Sequence, residues 1–199
     1  MPDRRKHRSA DPADRLAFSA EHVPRLRSAT ADLSWLLGRG YGDRAALSLV
    51  GDRYELTARQ RQAVARCACA DELRDELARR RVPLERLRGK SVTIDGFNVL
   101  VTLEAALGGG VVLLARDGCV RDVSGVHGTW RRTEQTRPAL ERIGRWLEGE
   151  SPAACTWVLD RRVSNVGRLR DLLGEVAAPA QQAGQVGGRE RIGQAVGQQ

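Results

Sequence analysis

The stretch S-V-T-I-D-G-F-N-V-L, Ser91 to Leu100, decides how the chain is read. Ser91 to Asp95 is a short β-branched run, the composition of a strand. It ends in Asp-Gly, a turn signal, and the segment Val99 to Leu107 then has helical spacing closed by Gly108, Gly109 and Gly110. Downstream the same alternation continues. Val111 to Ala115 reads as a second, buried strand ended by Arg116-Asp117-Gly118. Pro138 to Leu147 reads as a helix, with Leu140, Ile143 and Leu147 on one face. Cys155 to Leu159 is a third strand ending at Asp160, and Ser164 caps a helix through Leu169, Leu172 and Leu173 to Val176. Strands alternating with helices predict a parallel, three-layer α/β arrangement.

Upstream the period is helical. Leu26, Ala29, Leu33, Leu36 and Leu37 share one face, and Gly38 and Gly40 supply a stop. The segment around Leu47, Leu49, Tyr54 and Leu56 fits either a hairpin or a short bent helix. Thr57-Ala58-Arg59-Gln60 is a capping-box sequence opening a helix through Val64 and Cys67. Asp71 begins another helix toward Arg81, broken by Pro83. The expected organisation is a flexible basic arm (1–21), a helical region (22–88), an α/β domain (89–176) and a disordered Gln/Gly/Ala tail (177–199).

The chain has 199 residues, 33 Lys+Arg and 25 Asp+Glu, giving a formal net charge of +8. Charged residues at 29% and hydrophobic residues at 41% exclude wholesale disorder. Aromatics are only 4%, so the core is built from Leu, Val, Ala and Ile. Only Lys6 and Lys90 are lysines, so the positive charge is almost entirely guanidinium, which pairs well with phosphate. Nucleic acid, specifically RNA, is the partner expected. The longest apolar runs are far shorter than the ~20 residues that span a bilayer. Acids at Asp11 and Asp14 stand where a secretory leader would place its apolar segment. No membrane association and a bacterial cytoplasm are therefore expected. Cys67, Cys69, Cys119 and Cys155 lack the paired spacing of a zinc ribbon and read as small buried hydrophobes, although Cys119 and His127 would complete four ligands with the C-x-C pair.

Ligands gather at the carboxyl ends of parallel strands, where Asp95 and Asp160 are both expected. Converging carboxylates favour a shared hard cation, Mg2+ or Mn2+, with Glu104 or Asp117 completing the site and Asp122 more distant. On this reading Asp95 and Asp160 are the catalytic and metal-binding pair. Asn98 and the Ser164-Asn165 helix start would hold a phosphate, His127 would supply acid–base chemistry, and Arg59, Arg61 and Arg66 would touch a phosphate backbone. The competing reading makes the two aspartates ordinary turn residues.

The runs D-L-S-W-L-L-G-R-G-Y (Asp32 to Tyr41), L-V-G-D-R-Y-E-L-T-A-R-Q-R (Leu49 to Arg61) and I-D-G-F-N-V-L-V-T-L-E-A-A-L (Ile94 to Leu107) resemble the prokaryotic family called domain of unknown function 434. The likeness continues through Arg116 to Asp122, His127-Gly128 and Leu159 to Leu169, and implies no activity. A looser resemblance, carried by Asp95-Gly96-Phe97-Asn98 and by Asp160, is to NYN and PIN-like ribonuclease domains. It implies a small parallel Rossmann-like sheet flanked by helices and metal-dependent RNA hydrolysis. Such folds add a further strand with more acids, whereas here a Gln/Gly tract follows, as in a truncated or frameshifted frame. The expected function is thus a metal-dependent ribonuclease-like protein, the alternative a non-catalytic nucleic-acid-binding module. A basic protein that binds another protein is the third reading.

Overall fold

The computed structural model describes residues 11–123, 129–160 and 162–177. They fall into two compact units. One holds residues 11–81 and 109–123, the other 82–108, 129–160 and 162–177.

The first unit is helical. Helix α1 (Pro12–Ala17) starts with Asp11 as N-cap, accepting from the Ala13 N–H, and with proline in its first turn. It forms no loose arm: Asp14 is only 3% exposed and is gripped by the Arg59 guanidinium, Nε to Oδ1 2.8 Å and Nη2 to Oδ2 3.0 Å. A polar stretch thus becomes fixed structure because one carboxylate finds a distant arginine. Helices α2 (Val23–Gly38), α3 (Asp43–Arg53) and α4 (Ala58–Cys67) enclose Ala29, Leu33, Leu36, Ala46, Val50 and Val64. The segment that fitted hairpin or helix is a helix, its Ala46 and Val50 one turn apart and buried.

Both halves of the expected capping box form at Thr57. Its hydroxyl accepts from the Gln60 N–H and the Gln60 side chain accepts from the Thr57 N–H. Gln60 also donates to the Ala17 carbonyl at 2.8 Å, so the box ties α4 to α1. Helix α5 (Asp71–Arg80) follows, with acids in its first turn and arginines in its last, matching the helix dipole.

The segment expected to be a buried parallel strand is half of a hairpin in this same unit. Strands β2 (Val112–Leu114) and β3 (Val120–Asp122) pair antiparallel, Leu114 opposite Val120. Leu114 is 75% exposed. A parallel return needs a dozen or more residues of crossover. Arg116-Asp117-Gly118 instead reverses the chain at once, with Gly118 at φ +75 and the Cys119 N–H bonded to Asp117. Arginines pin the hairpin. Arg81 donates to the Asp117 carbonyl, Arg116 to Cys69 and Asp71, Arg66 to Asp122, and Arg121 to Asp117.

The second unit contains a short 3-10 turn (Leu84–Arg86), then β1 (Ser91–Asp95), α6 (Gly96–Leu107), α7 (Thr136–Glu150), β4 (Ala154–Val158) and α8 (Val166–Ala177). β1 and β4 pair in parallel, Ser91 opposite Ala154 and Asp95 opposite Val158. Phe97, Leu100, Trp130, Leu140, Leu169 and Leu172 form the core. The result is a helix-rich α/β protein with one small parallel and one small antiparallel sheet, preceded by helices. Among the described residues neither sheet exceeds two strands, so the three-layer Rossmann-like or NYN/PIN-like sheet is not formed there. The tail beyond 177 and the first ten residues lie outside the described residues.

Candidate functional site

The site predicted at the carboxyl ends of β1 and β4 is built from helix starts. Asp95 is the N-cap of α6: Oδ1 accepts from the Asn98 N–H at 3.4 Å and Oδ2 from the Asn98 side-chain amide at 2.7 Å. Gly96 is there for contact. A Cβ at this position would lie 2.5 Å from Leu159 Cδ2, 3.1 Å from the Trp157 ring and 3.2 Å from the Val158 carbonyl. The D-G-x-N sequence therefore has a complete local explanation: aspartate caps, glycine lets the helix start touch β4, and asparagine holds the cap.

Asp160 makes a turn of its own. Its Oδ1 accepts from the Arg162 N–H at 2.9 Å and its carbonyl from the Val163 N–H at 3.1 Å. The register sets Asp95 opposite Val158, two residues before Asp160, so the two aspartates are not register partners. Ser164 lies in an isolated parallel bridge with Thr129, and its carbonyl accepts from the Trp130 N–H. Asn165, at φ +67, donates its side-chain amide to the Trp130 carbonyl at 3.0 Å.

Two further acids are held by partners of their own. Glu104 is fully buried on α6 and accepts from the hydroxyls of Thr136 and Thr133, joining α6 to the start of α7. Asp117 belongs to the helical unit and is bound by both terminal nitrogens of Arg121, at 2.7 and 2.6 Å. That guanidinium holds the Asp117 carboxyl below the usual aspartate range. Asp122, nearly buried, pairs with Arg66. His127 lies outside the described residues. Among the described residues no group of three or more His, Cys, Asp or Glu side chains is arranged to hold a metal ion, which corrects the nuclease and metal-binding description.

The arginines expected to meet a phosphate backbone are half-buried and bonded within the helical unit. Arg59 holds Asp14. Arg61 donates to the carbonyls of Leu56 and Ser48 and to Asp52 at 2.7 Å. It lies across Gly51, where a Cβ would run into its guanidinium. All four cysteines are free, and burial pushes the thiols of Cys67, Cys69 and Cys155 up.

Sequence reasoning missed the outer side of α2. Trp35 is 57% exposed with the Arg39 guanidinium 4.5 Å over its ring, and Tyr41, just past the helix end, is 56% exposed. The signal was present: with Ala29, Leu33 and Leu36 facing inward, helical spacing turns Trp35 outward.

No helix among the described residues is long and apolar enough to cross a membrane. No solved structure matches the chain. Residues 25–80 match Protein of unknown function (DUF434), so the resemblance read across most of Leu33 to Leu173 is confined to the helical segment. The uncharacterized protein MJ0935 of Methanocaldococcus jannaschii is 31% identical over 144 residues, covering 72% of this chain and 69% of the relative. This relative is archaeal, which corrects the bacterial expectation. Residues 84–196, more than half of the chain, match a second description, and the protein belongs to that family, Domain of unknown function (DUF5616).

Proposed function

We propose that the protein is a non-catalytic module that binds nucleic acid through guanidinium contacts to phosphate. The observation that carries this reading is the set of exposed arginines that no carboxylate neutralises. Arg44, Arg142, Arg145, Arg162 and Arg168 are exposed and make no ion pair among the described residues. Several acids are instead taken up by internal pairs, as at Asp14, Asp117 and Asp122. These five guanidinium groups are thereby left to meet an anion from outside.

Binding of a labelled oligonucleotide, followed by fluorescence anisotropy against salt, tests this. Roughly four phosphate contacts give a slope of about −3.6 in log K against log salt, a loss of about a hundredfold between 50 and 200 mM. No binding at 50 mM salt, or binding indifferent to salt, refutes the reading.

A further inference from the structure

The open side of α2 is a stripe of four residues spaced four apart: Arg27, Ala31, Trp35 and Arg39, all exposed. Its opposite side is the core stripe Ala29, Leu33 and Leu36. From Arg27 to Arg39 the stripe runs about 18 Å at the helical rise. It carries two arginines without an ion pair among the described residues, one aromatic ring, and no carboxylate. The acids of this region lie off it. Asp32, on the flank, accepts from the Tyr54 hydroxyl at 2.8 Å and pairs with Arg53, Asp43 sits in the first turn of α3, and Glu72 approaches Gly38.

The far end of the stripe is rigid. The Tyr41 N–H bonds to the Leu36 carbonyl and the Gly40 N–H to the Leu37 carbonyl, with Gly40 at φ +77, which is a Schellman closure. In that closure the residue after the glycine normally packs against the helix. Tyr41 occupies that position and yet stays more than half in water. Two large aromatic side chains are thus displayed on well-fixed backbone, beside a guanidinium already stacked on one of them.

Resting on the nucleic-acid reading above, we propose that this face of α2 seats a single nucleic-acid strand, with an unpaired base stacked at Trp35 and phosphates at Arg27 and Arg39. Stacking on an aromatic side chain is tolerant of base identity and needs a base free of its own stack. A duplex cannot offer one without unstacking. Tyr41 provides a second ring for a neighbouring base.

The test compares a ten-nucleotide deoxythymidine strand with a duplex of equal length, by anisotropy at 50 mM salt. Trp35→Ala should weaken strand binding tenfold or more, whereas Trp35→Phe, which keeps a ring, should stay within about threefold. Because Trp35 is exposed, both variants should melt like the parent protein. Strand and duplex bound equally well, with Trp35→Ala altering neither, leaves the nucleic-acid reading standing and overturns the stacking site. Failure of the parent protein to bind either one refutes both. Equal, Trp35-dependent binding of polyglutamate assigns the face to acidic peptide and overturns the proposal.

Discussion

Gly96→Ala separates a structural role for the D-G-x-N sequence from a chemical one. The new methyl group would meet three neighbours: the Leu159 Cδ2 at 2.5 Å, the Trp157 ring at 3.1 Å and the Val158 carbonyl at 3.2 Å. The leucine tip can rotate away, but Trp157 packs against the core and the carbonyl belongs to the β1–β4 pairing. Overpacking of this kind costs about 1–3 kcal/mol. Alanine recovers part of that through its better helix propensity, up to about 1 kcal/mol. The net expectation is a loss of about 1–2 kcal/mol. For a unit of this size each kcal/mol lowers the melting temperature by about 4–8 °C, so the shift should be about 5–15 °C. Thermal unfolding followed by circular dichroism measures it directly. An alanine variant that melts at or above the parent temperature would refute the close-contact explanation of Gly96.

Three further outcomes follow from the geometry. Asp14→Ala should destabilise the helical unit by about 2 kcal/mol, less than for a fully buried pair because Arg59 is partly solvated. It should also open the α1–α2 connection to proteolysis, and an unchanged melt would contradict the docking of α1. Arg121 depresses the Asp117 carboxyl, so their pair contributes fully above the ordinary aspartate value of about 3.9 and is lost as pH falls through the lower folded value. Asp117→Asn should therefore lower the melting temperature at pH 7, and that effect should shrink as pH falls below about 3.9. Cys119 is exposed whereas burial raises the thiols of Cys67, Cys69 and Cys155, so brief alkylation at neutral pH should label Cys119 first. Peptide mass mapping shows whether it does.

What the sequence made legible was local. Thr57 and Gln60 cap each other across three residues, and that short reach is visible in the letters T-A-R-Q. The β1 and β4 strands are legible for the same reason, as β-branched runs bounded by turn residues. The hairpin was misjudged because Val111 to Ala115 is apolar enough to suit a buried strand. The Asp-Gly that follows marks a tight reversal as readily as a strand end. The arginine pairs were invisible. Arg59 reaches Asp14 across 45 positions, and Arg66 reaches Asp122 across 56. A guanidinium with a distant partner looks, in sequence, like one facing water. This is why Arg59 and Arg66 read, from sequence, as residues for a phosphate backbone. The candidate acids failed to group for a related reason. Two-residue motifs place Asp95 and Asp160 at strand ends but say nothing of what each carboxylate already holds.

The hairpin has a consequence for taking the protein apart. Its strands are encoded after residue 109, within the segment matched by one family, yet they complete the helical unit that the other family's segment begins. A gene cut between residues 80 and 84 would follow the boundary between the two families and still sever a folding unit. The helices released by that cut would carry Arg66 with no hairpin to receive it. Independent expression of either segment, or recombination at their junction, would thus yield fragments that each lack part of a partner. Arg66 and Arg116 join the two segments directly and Arg81 does so from the junction, so a change at any of these three is felt on both sides.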